Sequence, residues 1–215
     1  LSQYMLLAPA AMLREAEHLA KRGVPDALER TIMDGQAIVI TPFQRAANRL
    51  RELSRGATRH GSCGMGVGEA VVDREAGFAL RVLDLAAPVV VKTKLVESRK
   101  MKLAEVRTLS LPNTAAVEKE REAFESWDVV DQAAEACRAV ADRVTIAWPG
   151  ALRDVLDTDG TVVFEGAQGV LLDEAFGFHP YTTWSRTTTA NADEMLTGYD
   201  GVATRLGVLR AYAVR

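Results

Sequence analysis

An α/β fold, with a mainly parallel sheet flanked by helices, is what this 215-residue chain predicts. Three observations carry that expectation. Short apolar, β-prone runs at Ala37 to Ile40, Thr161 to Phe164 and Leu206 to Ala213 read as strands. Longer stretches with helical periodicity lie between them, and this alternation favours parallel pairing through helical crossovers. Hydrophobic residues make up 48% of the chain, enough to bury a core. A single domain over 1–215 is expected, and an incomplete one: the chain opens Leu1-Ser2-Gln3 without methionine and stops at Arg215 directly after an apolar run.

The elements follow in order. Between Pro9 and Arg22 the apolar residues Leu13, Ala16, Leu19 and Ala20 share one helical face, and Gly23 with Pro25 ends the pattern. The strand Ala37 to Ile40 runs into Thr41-Pro42, a capping residue followed by a first-turn proline, which opens a helix reaching about Ser54. Gly61-Ser62-Cys63-Gly64-Met65-Gly66-Val67-Gly68-Glu69 then sets four glycines among polar atoms and exposes backbone amides. Pro88 to Arg107 is helical and highly charged, and further helices are predicted over Glu118 to Ser126 and Asp128 to Val144, on either side of Trp127. All three are expected at the periphery. The turn Asp157-Thr158-Asp159-Gly160 leads into the strand Thr161 to Phe164, and Leu206 to Ala213 is the last strand. Trp127, Trp148 and Trp184 are expected to pack.

Charge and composition exclude several classes of function. A net charge of -3 and a pI near 5.7 leave no basic stripe for a nucleic acid, although small anions remain possible ligands. Cys63 and Cys137 lie far apart without metal-ligand spacing, and His18, His60 and His179 form no ligand set, so no metal site is expected within the chain. The sequence shows neither a secretory leader nor an apolar run long enough to span a bilayer. A cytoplasmic protein with no membrane partner is expected.

The richest stretch chemically is Glu165-Gly166-Ala167-Gln168-Gly169-Val170-Leu171-Leu172-Asp173, followed by Gly177-Phe178-His179-Pro180-Tyr181-Thr182-Thr183. Gly166 and Gly169 bracket an amide at the end of the expected strand, where small residues let a ligand approach the backbone. Gln168 both donates and accepts, which suits a neutral ring bearing an exocyclic oxygen. Thr182, Thr183, Thr187, Thr188 and Thr189 add hydroxyls that hold phosphate without many cations. The same letters also serve a plain strand-ending turn. Asp173 and Glu174 read as solvated.

This wording resembles the nucleotide-binding core of the adenylosuccinate synthetase family, over about Leu7 to Arg215. The resemblance implies GTP-dependent joining of L-aspartate to IMP, a homodimer, and Mg²⁺ held by ligands outside this chain. It also implies that Gln168 is catalytic at the purine six-position and that Thr183 meets the 5′-phosphate, with Gly166 and Gly169 shaping the loop. The family's second glycine-rich loop reads Thr-Gly-Arg-Gly-Ile-Gly-Pro and helps bind that phosphate. Here Cys63 stands where its threonine is expected, with Ser62 the nearest hydroxyl and a thiol a poor substitute donor. Gly77 falls where the family carries an arginine that crosses the dimer, and Arg186 stands where asparagine is usual, returning positive charge near the phosphate. These departures leave two alternatives open: the same chemistry on dGMP, as in phage-type relatives, and a nonenzymatic nucleotide-binding relative. The family's N-terminal catalytic aspartate, lysine and histidine have no counterpart here, so the 215-residue chain alone is expected to lack turnover.

Overall fold

The computed structural model describes residues 1–148, 150–209 and 211. They divide into two compact units, 1–162 and Val163 onward.

The first unit holds the strands β1 (Leu6–Leu7), β2 (Ile32–Asp34), β3 (Ile38–Val39) and β4 (Thr145–Ala147). β1 pairs with β3 in parallel, placing Leu6 opposite Ile38, and β2 pairs with β4 in parallel, placing Met33 opposite Ile146. Around them lie α1 (Pro9–Ala20), α2 (Pro42–Ser54), α3 (Val67–Glu75), α4 (Pro88–Val106), α5 (Ala115–Glu125), α6 (Asp128–Ala141) and α7 (Ala151–Leu156). Parallel strands flanked by helices are the fold class that the alternating pattern predicts.

α2 starts where its sequence dictates. The Thr41 hydroxyl accepts from the Gln44 N–H at 3.3 Å, and the Gln44 carboxamide accepts from the Thr41 N–H at 2.8 Å, a reciprocal cap ahead of Pro42. Losing such a cap costs about 1 kcal/mol. One face of α2 then buries Phe43, Ala46, Ala47 and Leu50 completely or nearly so. Phe43 meets Phe124 of α5 with ring centroids 5.9 Å apart. Full burial of a side chain as large as Phe43, Leu50 or Leu95 contributes roughly 1.5–3 kcal/mol.

The charged helices are not peripheral. Val91, Leu95 and Val106 of α4, Val117 and Phe124 of α5, and Val130, Cys137 and Val140 of α6 all belong to the main core. The charge of α4 misleads because Lys102, fully buried, lies on the same face as those apolar residues. Trp127 and Trp148 do not pack as expected: they are 57% and 68% exposed, and the Arg99 guanidinium lies over the Trp127 ring, 4.2 Å from its centroid.

The second unit holds a 3-10 turn at Val170–Leu172 and the helix α8 (Ala190–Met195), and no strand among its described residues. Thr161 to Phe164 is therefore corrected from strand to irregular chain. A β-prone run becomes a strand only beside a partner whose N–H and C=O groups complete its ladder, and Val163 is instead 81% exposed. The expected last strand fails in the same way over Leu206 to Leu209, which is irregular and exposed; Arg210, Tyr212 and Ala213 lie outside the described residues.

Candidate functional site

In the first unit the glycine-rich segment 61–66 forms a loop mounted on the side chains of α2. The Asn48 side-chain oxygen accepts from the Ser62 hydroxyl at 2.9 Å and from the Gly66 N–H at 3.3 Å. Ser62 Oγ in turn accepts from the Gly64 N–H at 3.1 Å. One turn further along α2, the buried Glu52 carboxylate accepts from the N–H groups of Gly61, at 3.0 Å, and Ser62, at 3.4 Å. Arg49 donates from Nε to the Gly64 carbonyl at 3.1 Å and from Nη1 to Glu120 at 3.1 Å. Four loop N–H groups thus turn to α2 or to Ser62, while those of Cys63 and Met65 have no partner among the described residues. A cleft of about 300 Å³ opens beside the loop, lined in part by Arg49, Arg59, Lys119 and the exposed Cys63.

The loop delivers the chain into α3, whose first turn has no side-chain cap. Gly66 stands at that entry with φ +84°, and a Cβ there would lie 2.9 Å from the Arg45 backbone nitrogen, so α2 and α3 meet backbone to backbone. Behind the contact is a buried ionic cluster. Lys102 Nζ lies 2.7 Å from Asp73 and 3.0 Å from Glu69, both on α3, and 3.1 Å from Glu105. Gln44 donates to Asp73 at 2.7 Å, and Arg51 reaches Glu69 at 2.5 Å and also Glu105. Burial alone would lower the Lys102 ammonium, but the hydrogen bond to Asp73 and the charges of Glu69 and Asp73 outweigh it and hold it above the ordinary lysine value. At the far end of α3, Gly77 adopts φ +82°, with the Gly77 N–H on Arg74 O at 3.0 Å and the Phe78 N–H on Asp73 O at 2.8 Å. That is a glycine helix stop of the Schellman type, which explains the residue structurally.

In the second unit, segment 165–189 is organised by one carboxylate. Asp173, read from the sequence as solvated, has 1% of its surface exposed. Its Oδ1 accepts from the N–H groups of Ala175 at 2.9 Å and Phe176 at 3.2 Å, and its Oδ2 accepts from Thr187 at 2.6 Å. The bonds from Thr187 and Ala175 hold this carboxyl below the usual aspartate range. The Thr187 hydroxyl closes back on the Gly169 carbonyl at 3.0 Å, and the Thr183 N–H bonds the Leu172 carbonyl at 2.8 Å.

This framework places Gly166, Gln168, Gly169, Thr183 and Arg186 within a single folded segment. Gln168 is exposed, and its amide has no partner among the described residues. Space is open around both glycines: a Cβ on Gly169 would meet nothing within 4 Å, and one on Gly166 would meet only Thr187 O at 3.9 Å. Arg186 is exposed, 3.1 Å from Glu194 and 3.9 Å from Glu174, surface pairs weak enough to yield to a stronger anion. Trp184 is 54% exposed, and His179 lies 3.4 Å from the Thr182 hydroxyl.

The adenylosuccinate synthetase family profile matches residues 1–215. The chain belongs to the adenylosuccinate synthetase family. It is 35% identical over 219 residues to the adenylosuccinate synthetase of Edwardsiella ictaluri, covering 98% of this chain and 46% of that protein. It is 30% identical to that of Clostridium beijerinckii, covering 98% and 47%. A fully ligated adenylosuccinate synthetase from Plasmodium falciparum has the same fold, with a TM-score of 0.70 at 17% identity over 93% of this chain and 43% of that one. The chain therefore spans a little under half the length of the relatives it matches.

Within the chain, the two glycine-bearing loops differ in what the sequence reveals. Gln168, Thr183 and their glycines are the residues that the letters alone single out as candidates. Asn48, Arg49 and Glu52 are not, since on α2 they read as ordinary polar helix residues; the signal available is that Asn48 and Glu52 share one face, four residues apart. Among the described residues no group of three His, Cys, Asp or Glu side chains is placed to hold a metal, and no helix is long and apolar enough to cross a membrane.

Proposed function

We propose that the protein acts as an adenylosuccinate synthetase, ligating L-aspartate to IMP at the expense of GTP through a 6-phosphoryl intermediate. The observation that carries this reading is the segment 165–189, where buried Asp173 ties down both arms and leaves the Gln168 amide exposed, without a partner among the described residues. A purine carbonyl oxygen is a poor leaving group. Transfer of the GTP γ-phosphoryl group to it makes phosphate the leaving group, which the aspartate amine then displaces. Gln168 serves as the neutral donor to the six-oxygen as negative charge develops there, an effect worth about 2–4 kcal/mol by analogy with other oxyanion donors.

In the second unit the monophosphate falls to Thr183 and to Arg186 released from its surface carboxylates, and in the first unit the loop 61–66 offers a phosphate the N–H groups of Cys63 and Met65, which have no partner among the described residues. Neutral donors of this kind bind phosphate through oriented dipoles. Mg²⁺ belongs to this reading through the family, and no step assigned to these residues passes through it. Homodimerisation and a cytoplasmic location come with the same reading. Cys63 in the phosphate loop favours one alternative, the same ligation on dGMP.

The test is an assay of the full-length protein with GTP, Mg²⁺ and aspartate, offering IMP and dGMP separately and identifying the product by mass. Adenylosuccinate from IMP is the expected result. An adduct from dGMP alone moves the reading to the alternative purine, and nucleotide binding without any adduct overturns the ligase assignment.

A further inference from the structure

We infer that Asn48 is a positioning residue for the phosphate loop, acting together with Ser62 as one unit; the inference rests on the phosphate role proposed for that loop. A serine hydroxyl carries one proton. Ser62 donates it to Asn48 Oδ1 at 2.9 Å and uses a lone pair to accept from Gly64 N–H at 3.1 Å, so no proton is left for a phosphate oxygen. The same Asn48 oxygen takes the Gly66 N–H at 3.3 Å. A single carboxamide oxygen thus fixes Ser62 and Gly66, the two sides of the turn that contains Cys63 and Met65. With the amides of Gly61, Ser62, Gly64 and Gly66 engaged, those of Cys63 and Met65 remain for an anion. The thiol of Cys63 matters less in this arrangement than its N–H, and the missing threonine hydroxyl is offset by a loop whose shape is set from α2.

The mechanism makes Ser62 and Asn48 energetically inseparable. A direct ligand and a separate scaffold residue would lose binding independently, whereas two members of one unit lose the same thing once.

The experiment uses the full-length protein with Asn48→Leu, Asn48→Asp, Ser62→Ala and the Leu/Ala double variant. Two quantities are read: affinity for IMP against inosine, and amide exchange in the 61–66 peptide. Asn48→Leu and Ser62→Ala are each expected to weaken IMP about tenfold, the size of a lost pair of hydrogen bonds, with inosine unchanged and the double variant no worse than either single. Exchange in 61–66 accelerates in both. Asn48→Asp keeps the accepting oxygen, so it restores slow exchange while its charge still weakens IMP. Additive losses in the double variant overturn the inference by making Ser62 a ligand in its own right, as does unchanged exchange in Asn48→Leu. If the parent binds neither IMP nor inosine, the proposed function falls, and exchange alone still decides whether Asn48 holds the loop.

Discussion

The loop at 61–66 and the segment at 165–189 solve one problem in opposite ways. Each must hold backbone N–H groups and short side chains in a fixed array without a regular ladder to support them. The first borrows its anchors from another element, through Asn48, Arg49 and Glu52 of α2. The second carries its anchor within itself, in Asp173. Borrowed anchors make the first loop only as well placed as α2 and α3 are relative to each other. An internal anchor makes the second depend on one ionised carboxylate.

The largest expected effect breaks the support beneath the first loop. Lys102→Met removes the cation that Glu69 and Asp73 share in a buried setting, and stranding such charges costs about 3–5 kcal/mol. Urea unfolding of the full-length protein reads it, and a loss under 1 kcal/mol would show that the cluster relaxes into water. Next comes Gly66→Ala, which sets a side chain in left-handed backbone and against the Arg45 nitrogen; about 1–3 kcal/mol is expected, with faster exchange at 61–66. Unchanged stability would mean that α3 can lift from α2.

For the second segment, Asp173→Asn turns one acceptor into a donor facing N–H groups, and the amides of Ala175, Phe176 or Thr187 are expected to exchange roughly tenfold faster or more. Retained protection would remove Asp173 as the anchor. The smallest effect is a contrast in pH. The Asp173 carboxyl is depressed in the folded chain, so its contribution is complete above the ordinary aspartate value of about 3.9 and is lost as pH falls through the lower native one. Lys102 is raised, so its contribution is complete below the ordinary lysine value of about 10.4 and fades only as pH rises through the higher native one. Acid should loosen 169–187 and strong base the α3–α4 cluster; exchange measured at both extremes sharpens or breaks the contrast.

What the sequence disclosed divides along the same line. Helix α2, with Thr41 as its cap and Pro42 at its first turn, was legible because those signals are local. The open backbone at Gly166 and Gly169 was legible because open space around a backbone needs only small residues. Thr161 to Phe164 misled because strand formation depends on a neighbour that no local pattern encodes. Asp173 was hidden because an aspartate after two leucines looks solvated until the three N–H groups that converge on it are known. Lys102 was hidden for the converse reason: residues 91, 95, 98, 102 and 106 mark one buried face of α4, and the eye drops that face at its charged member.

The two cysteines also sit on opposite sides of this divide. Burial pushes the Cys137 thiol up to about 11, while Cys63 is exposed on the 61–66 loop. At neutral pH a maleimide dye is therefore expected to label Cys63 ahead of Cys137 within this stretch of chain, which sets an optical reporter on the 61–66 loop.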